Sequence, residues 1–565
     1  MKKYLISMFA ALSAALLISG VLIPGASAAP GAGVPEELFL QEGVGAVPRT
    51  YVDKGRESLS AFDFMTPAQI AAVKSYALAV DVTLPVQKAM DAAWTRKADL
   101  FVPAGGYLVT GLTLPGTYPT LDQRSYAFRM YGQGYGTPFS LFNNAGTVFK
   151  SITDAPVLAD RAMPGSNAQG TYEIDHLRFD GTSATPVVLI HGLYGTSSVH
   201  HNVIYQRGAG DGFKLLFAAT AHIHENYVIN KDYVTPVLGA ARTGVGINFQ
   251  SPRDAGLVTF RKNTSRGFLT GYRIGGTATA YSAKITECEA STVHNAIVLE
   301  ATTNKVVVSD NYIEGGDGGI GIKNLGNYNS IRDNLIFSGF TTLIQDNSAS
   351  NFGSVIESNI IHIGSVVNGI GIDVQSSAPF GGNGKSVLNN SILSAAGAVG
   401  VTGLKITGTD PRIMAIGNMY SPRAAWSGAG STKISDGSTN GVYGFSTQQR
   451  GHYEVPYLSR GAYTLNAGAT LSQADVADKL LTLPDGMNYY VVSATSAASV
   501  NKIAAGVTSA RPVTFRTTTA NMTFTNGPYV KLAGALSWTG PGTITFMIER
   551  VGADNYAYEM SRTTF

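Results

Sequence analysis

A chain of 565 residues can form several domains or one extended repeat body, and it has ample length to bury a core. Its 65 glycines, 27 tyrosines and 24 phenylalanines, with only 14% charged residues, suit a turn-rich β protein; a net charge of +3 with no basic run argues against a nucleic-acid partner. A single cysteine, Cys288, excludes an internal disulfide, so stability must come from packing.

Lys2 and Lys3 precede an apolar run from Tyr4 to Ile23, and the small residues GASA follow at 25–28. This is the pattern of a secretory signal peptide over residues 1–28, cut after Ala28; the competing reading is an uncleaved anchor helix. The expected mature protein is secreted, with no membrane contact after cleavage. Residues 29–60, rich in Gly, Ala and Pro, read as a connector arm. Residues 61–124 read as an N-terminal cap and opening strands. Thr66 caps a helix with Pro67 at its first position, TLPVQKAMDAAW at 83–94 repeats the device, and ADLFVPAGGYLVTGLTLPG at 98–116 reads as two strands around a turn.

Residues 125–440 carry a repeat. VSDNYIEG at 308–315 shares its pattern with VHHNVIYQ, IHENYVIN, IRDNLIFS, IESNIIHI, VLNNSILS and AIGNMYSP. The anchors are Asn202, Asn226, Asn263, Cys288, Asn311, Asn334, Asn359, Asn390 and Asn418, at steps of 24, 37, 25, 23, 23, 25, 31 and 28 residues. Three places before each anchor lies an apolar residue, from Val199 to Ala415. Short alternating segments such as GIGIKN (319–324) and GIGIDV (369–374) complete each coil. Period-two strands between Gly-rich turns favour a stacked β solenoid over a helical one. The expected fold is therefore all-β, a right-handed parallel β-helix with asparagines stacked at one turn and Cys288 interrupting that ladder. The 37-residue step holds an insertion at 230–244, placed to wall a groove. Residues 445–565 read as a C-terminal β-sandwich.

LFVPAGGYLVTGLTL, with SLSAFDFMTPAQIAAVKS, VDVTLPVQKAMDAAW and GAVPRTYVDKGRES before it, resembles the start of pectate-lyase-like β-helix proteins, the superfamily of phage tailspikes and many polysaccharide depolymerases. The resemblance spans roughly residues 44 to 435. It implies the fold, a polysaccharide substrate, a homotrimer, and a C-terminal sandwich that joins three chains or binds carbohydrate. It implies no single reaction.

Two outward surfaces are candidates. One carries Lys214, Asn248, Gln250, Arg273, Glu300 and Lys323, flanked by Asp232 in the insertion. The other carries His200, His201, His224, Glu225, Arg261, Lys262, Glu287, Asp310 and Asp333. Hydrolysis needs two carboxyl groups, for which Glu300 with Asp211 or Asp232, or Glu225 with Glu287, qualify. A lyase needs a base beside cations that neutralise a uronate, for which His224 with Arg261, or Tyr272 with Arg273, qualify. The substrate-binding set is Lys214, Asn248, Gln250, Lys262 and Lys323. The bland alternative for each is a solvated surface pair, and for Asp211 and Asp317 a turn. GGDGGIGIKN lacks the second aspartate of pectin hydrolases, having Gly318 there, and no Cys/His metal spacing appears; calcium held by carboxylates stays open. The expected function is a secreted depolymerase of bacterial exopolysaccharide or capsule, with β-elimination slightly ahead of hydrolysis. The alternative is a glycan-binding surface or tailspike-type adhesin without catalysis.

Overall fold

The computed structural model describes residues 58–116, 127–134, 145–160, 171–182, 184–234, 239–251, 255–315, 318–337, 339–348, 353–376, 385–395, 398–408, 413–421 and 429–438, strands 38–39 and 49–50, and segments between 480 and 564. The expected signal peptide, most of the connector arm, residues 445–479 and Asp317 lie outside these. Leu38–Phe39 pairs antiparallel with Arg49–Thr50 in a separate unit, Met1–Glu57.

From Ser58 the chain winds through three long sheets of 13, 12 and 12 strands, each ladder parallel. One coil shows the order: Val307–Ser309 in the first sheet, Tyr312–Gly315 in the second, Ile320–Asn324 in the third. The apolar residue three before each anchor makes a continuous column, Val199, Ile223, Phe260, Ile285, Val308, Ile331, Ile356 and Val387, every member buried. Each such side chain contributes about 1.5–3 kcal/mol on burial. None could be buried within a single coil, so stacking is obligatory.

The turn between the first and second sheets is built from the residue pair ending in the anchor. The residue before it takes the left-handed conformation: His201 (φ 53), Glu225 (φ 56), Lys262 (φ 52), Glu287 (φ 55), Asp310 (φ 60) and Asp333 (φ 56). That geometry costs a non-glycine residue roughly 1–2 kcal/mol, and the buried anchor offsets it with hydrogen bonds. Asn334 Nδ2 donates to Val308 O (3.0 Å) and Asn359 Oδ1 (2.9 Å), and the Asn334 amide N–H also donates to Asn359 Oδ1 (3.1 Å). The same set recurs at Asn202, Asn226, Asn311, Asn359 and Asn390. Cys288 interrupts the ladder as expected, and burial pushes its thiol up to about 11.

The GIGI motifs have a steric cause. A Cβ on Gly321 would lie 2.3 Å from Leu343 O, and one on Gly371 would lie 2.6 Å from Gly403 O.

Several boundaries differ from the sequence expectation. Residues 98–116 hold three strands where two around a turn were expected; Asp99–Val102, Gly105–Val109 and Leu112–Leu114 enter the three sheets in turn, a full coil. The coil stack therefore starts well before residue 125, and Ser58–Ser60 already pairs with Asp99–Phe101. Thr66 caps the helix Pro67–Lys74 as expected, accepting from the Gln69 amide. The helix Thr83–Arg96 does not repeat that device: Thr83 is its first residue, and Asp81 Oδ1 accepts from the Thr83 amide at 2.8 Å. Val86, Ala89, Met90 and Ala93 of this helix close the end of the core.

The C-terminal segment has its own core, including Val513, Phe515, Phe524, Trp538, Ile544 and Phe546, shared by a five-stranded and a three-stranded sheet. Its first strands still pair in parallel: Leu480–Thr482 with Lys502–Ala504, Tyr489–Val492 with 514–517, and Ala498–Val500 with 522–524. Antiparallel strands Gly542–Val551 and Asp554–Thr564 follow.

Candidate functional site

The outer face of the third sheet carries one aligned row: Lys214, Asn248, Arg273, Val298, Lys323, Gln345, Asp373 and Lys405. Successive members stand about 4.8 Å apart, the strand spacing. Arg273 pairs with Glu300, whose Oε2 also accepts from the Gly276 amide at 3.3 Å. Gly275 makes room for that carboxylate, because a Cβ there would lie 2.5 Å from Glu300 Cβ. Arg273, Glu300, Lys323, Asn295 and Thr302 line a hollow of about 530 Å³. Lys214 and Lys323 have no salt-bridge partner among the described residues.

Asp373 is a member of this row that the sequence reading passed over, although its segment GIGIDV was recognised as a strand. It is half-buried, and burial raises its carboxyl above the ordinary range, opposed by Lys405 and by a hydrogen bond from Gln345. The available signal was positional: Asp373 takes the same place in its GIGI segment as Lys323 does.

The second surface lies at the first-sheet turn. Ser198, His222, His224, Glu225, Thr259, Arg261 and Lys262 line a depression of about 330 Å³. Here the carboxylates already have side-chain partners. Arg261 donates from Nε to Glu287 Oε1 (3.0 Å) and from Nη2 to Glu287 Oε2 (3.2 Å), with Lys262 Nζ 3.9 Å from Oε2. Glu225 Oε2 lies 3.1 Å from His224 Nδ1 and 3.3 Å from His201 Nε2. The His224 hydrogen bond holds the Glu225 carboxyl below its usual range, so Glu225 is an ionised acceptor and a poor proton donor.

Three expected site residues are placed differently. Tyr272 is fully buried: strand alternation turns it inward beside outward Arg273, and its hydroxyl donates to Asn263 O at 2.7 Å. Burial raises that phenol far above its normal range, which removes it as a lyase base. Asp232 is buried in the insertion, accepting from Lys231 Nζ at 2.9 Å and donating its amide to Asn230 Oδ1 at 2.9 Å; it braces the loop and does not wall a groove. Asn248 is also buried, donating to Asp211 Oδ2 at 2.7 Å, while Asp211 Oδ1 accepts from the Val245 amide. Asp211 is thus the turn residue it resembled. Gln250 stays half-buried on the same strand as Asn248, beside Gly275.

No family model matches the chain, and no curated protein matches its sequence. Solved structures do align with it. A tailspike protein of E. coli bacteriophage HK620 is 12% identical over 93% of this chain and 96% of its own, with a TM-score of 0.47. The Dettilon tailspike protein is 13% identical over 70% and 71%, TM-score 0.43. A DFA-IIIase from Arthrobacter chlorophenolicus A6 is 13% identical over 64% and 94%, TM-score 0.42. The architecture rests on the strand register itself: this chain is a right-handed parallel β-helix protein.

Proposed function

We propose that this chain is an exported polysaccharide depolymerase that lays an acidic bacterial glycan along the outer face of its third sheet. The observation that carries this reading is the row from Lys214 to Lys405, which holds four cations, Lys214, Arg273, Lys323 and Lys405, and one carboxyl of raised pKa, Asp373. A glycan chain running across the coils would meet Arg273, Lys323 and Lys405 with its acidic groups, and Asp373 would protonate a departing glycosidic oxygen. The inward turn of Tyr272 leaves His224 with Arg261 as the remaining base–cation pair for β-elimination, and the raised carboxyl of Asp373 supports hydrolysis. Tailspike proteins and a DFA-IIIase among the aligned structures agree with a glycan-directed role. The exposed apolar side chains Tyr312, Ile360 and Met419 on the second sheet, 37–47% exposed and in one register row with Leu335 and Ser391, support assembly as a homotrimer.

A second reading, glycan binding without cleavage, is favoured by one spacing. Glu300 lies three coils from Asp373, about 14 Å at the strand spacing, beyond the 6.5–9.5 Å separation of an inverting pair. The test is the mature protein on acidic and neutral exopolysaccharides, following polymer size, reducing ends and ultraviolet absorbance of unsaturated uronate. Shortening with new reducing ends and no absorbance supports hydrolysis. Absorbance would restore β-elimination, and binding without shortening would leave the adhesin.

A further inference from the structure

The first-sheet turn gathers imidazoles that the glycan reading does not use. His200 and His201 come from one coil and His224 from the next, and a ring nitrogen of each lies within 4.8 Å of the others'. The rings are ordered by packing: His200 stacks on His224 with centroids 4.7 Å apart and planes 7° from parallel, and His201 stacks on His176 at 5.0 Å and 2°. His200 Nδ1 faces His201 Nδ1 at 2.8 Å. Two imidazole nitrogens meet so closely only around a shared proton or a shared cation.

The far side of two of the rings supports the cation. Glu225 Oε2 receives both His201 Nε2 (3.3 Å) and His224 Nδ1 (3.1 Å), whereas Glu173 Oε1, at 3.6 Å from His200 Nε2, is beyond hydrogen-bond distance. A carboxylate behind a ligating imidazole fixes its tautomer and raises its basicity, which is the outer-shell pattern of protein metal sites. It leaves His200 Nδ1, His201 Nδ1 and His224 Nε2 as donors; the last is 3.1 Å from Ser198 Oγ. In a tetrahedral zinc site, with metal–nitrogen bonds of about 2.0–2.1 Å, donor nitrogens stand roughly 3.3 Å apart, so His200 and His224, whose planes are 7° from parallel, must turn toward one point to complete the set.

The neighbouring group of Glu173, Asp175 and His200 is less suited to a metal. Arg129 Nε already lies 3.2 Å from Asp175 Oδ2 and 3.4 Å from Glu173 Oε1, and His176 Nδ1 lies 2.6 Å from Asp175 Oδ1. Those carboxylates are neutralised, which disfavours a hard cation such as calcium.

The geometry points to a divalent transition-metal site of the zinc class on this turn, made by His200, His201 and His224 with Glu225 as the outer carboxylate. The three rings stay partly exposed, with side-chain exposures of 15%, 39% and 31%, so the fourth position opens to water or to an anionic ligand. The signal escaped motif reading because the ligands are joined by the coil period of 24 residues and not by a contiguous spacing.

The test uses tag-free full-length protein stripped with a chelator and titrated with Co²⁺, read by visible absorbance and calorimetry. One equivalent should bind with the absorption of a four-coordinate ion, Zn²⁺ should displace it, and Ca²⁺ should not. His201→Ala and His224→Ala should each lower affinity at least about tenfold, and Glu225→Gln by about 10–100-fold. Both histidines are outward-facing, so circular dichroism should stay that of the parent; if one variant unfolds, the other decides. Absence of saturable uptake by the folded parent, uptake unchanged in the histidine variants, or displacement by Ca²⁺ would each overturn the assignment.

Discussion

Asn263 Nδ2 reaches the Cys288 sulfur at only 4.0 Å, whereas one rung earlier Asn226 Nδ2 donates to Asn263 Oδ1 at 3.0 Å. The ladder is weakened at Cys288 because a thiol is a weak acceptor and donor. The backbone there is unchanged: the Cys288 amide still donates to Asn311 Oδ1 at 2.9 Å, like its counterparts. Cys288→Asn should therefore complete the ladder and raise stability by about 0.5–1.5 kcal/mol, the net worth of a hydrogen bond. Urea unfolding of the two proteins checks this; a lower midpoint for the variant would mean that the amide does not fit the slot.

The opposite change should be costly. Asn334→Ala would leave Val308 O and both donors of Asn311 without their partner inside the stack. Each buried unsatisfied group costs about 1–3 kcal/mol. A loss of at least about 2 kcal/mol is expected in the same assay, whereas Asp333→Asn, at the exposed turn position before it, should cost less than about 1 kcal/mol.

Asp373 predicts a trade between stability and activity. Its folded-state carboxyl is raised by burial, so the charged form is disfavoured in the fold. The resulting penalty is absent below the unfolded value near 3.8 and grows as pH rises from there through the folded value. Asp373→Asn should be more stable than the parent at pH 7 and equal to it at pH 3. Its cleavage rate should fall about 10²–10⁴-fold, the usual worth of general acid catalysis, with glycan binding retained. In the parent, the rate should decline on the alkaline side as Asp373 loses its proton. A variant that cleaves at the parental rate would remove Asp373 from the chemistry.

Lys323→Ala should weaken binding of an acidic polysaccharide several-fold at low salt, with the difference shrinking as salt is raised, because an exposed charge is screened. Affinity measured by calorimetry at two ionic strengths decides it. An equal loss at both would point to packing in the hollow beside Glu300 and not to charge.

Tyr272→Phe removes a buried hydroxyl that donates to Asn263 O and lies 3.1 Å from Glu289 O. A loss of about 1 kcal/mol of stability is expected, with kcat/KM unchanged. A large drop in kcat at unchanged stability would return Tyr272 to the reaction.

The coil architecture was legible in the sequence because a solenoid repeats one short-range rule. The apolar column from Val199 to Val387 and the anchors from Asn202 to Asn418 recur at steps of 23 to 37 residues, and each has one structural meaning in every coil. The start of the stack was misplaced for the same reason: the coil at Asp99–Leu114 lacks an asparagine anchor, so residues 98–116 resembled two strands around one turn. The facing of single side chains was less legible. Tyr272 and Arg273 are adjacent, and only strand phase tells which is inside.

By itself the sequence determined that the chain stacks β-coils, that asparagines line one turn and that Cys288 interrupts them, since these follow from period, burial and hydrogen-bonding capacity. Tertiary structure alone decided which charges meet. Asp373 joined Lys323 and Gln345 in one row, Asp232 was folded into its own loop, and three histidines were set ring against ring across two coils. Residues separated by a whole coil become neighbours about 4.8 Å apart, and loop lengths and side-chain burial, which no local pattern encodes, then fix their contacts and proton affinities.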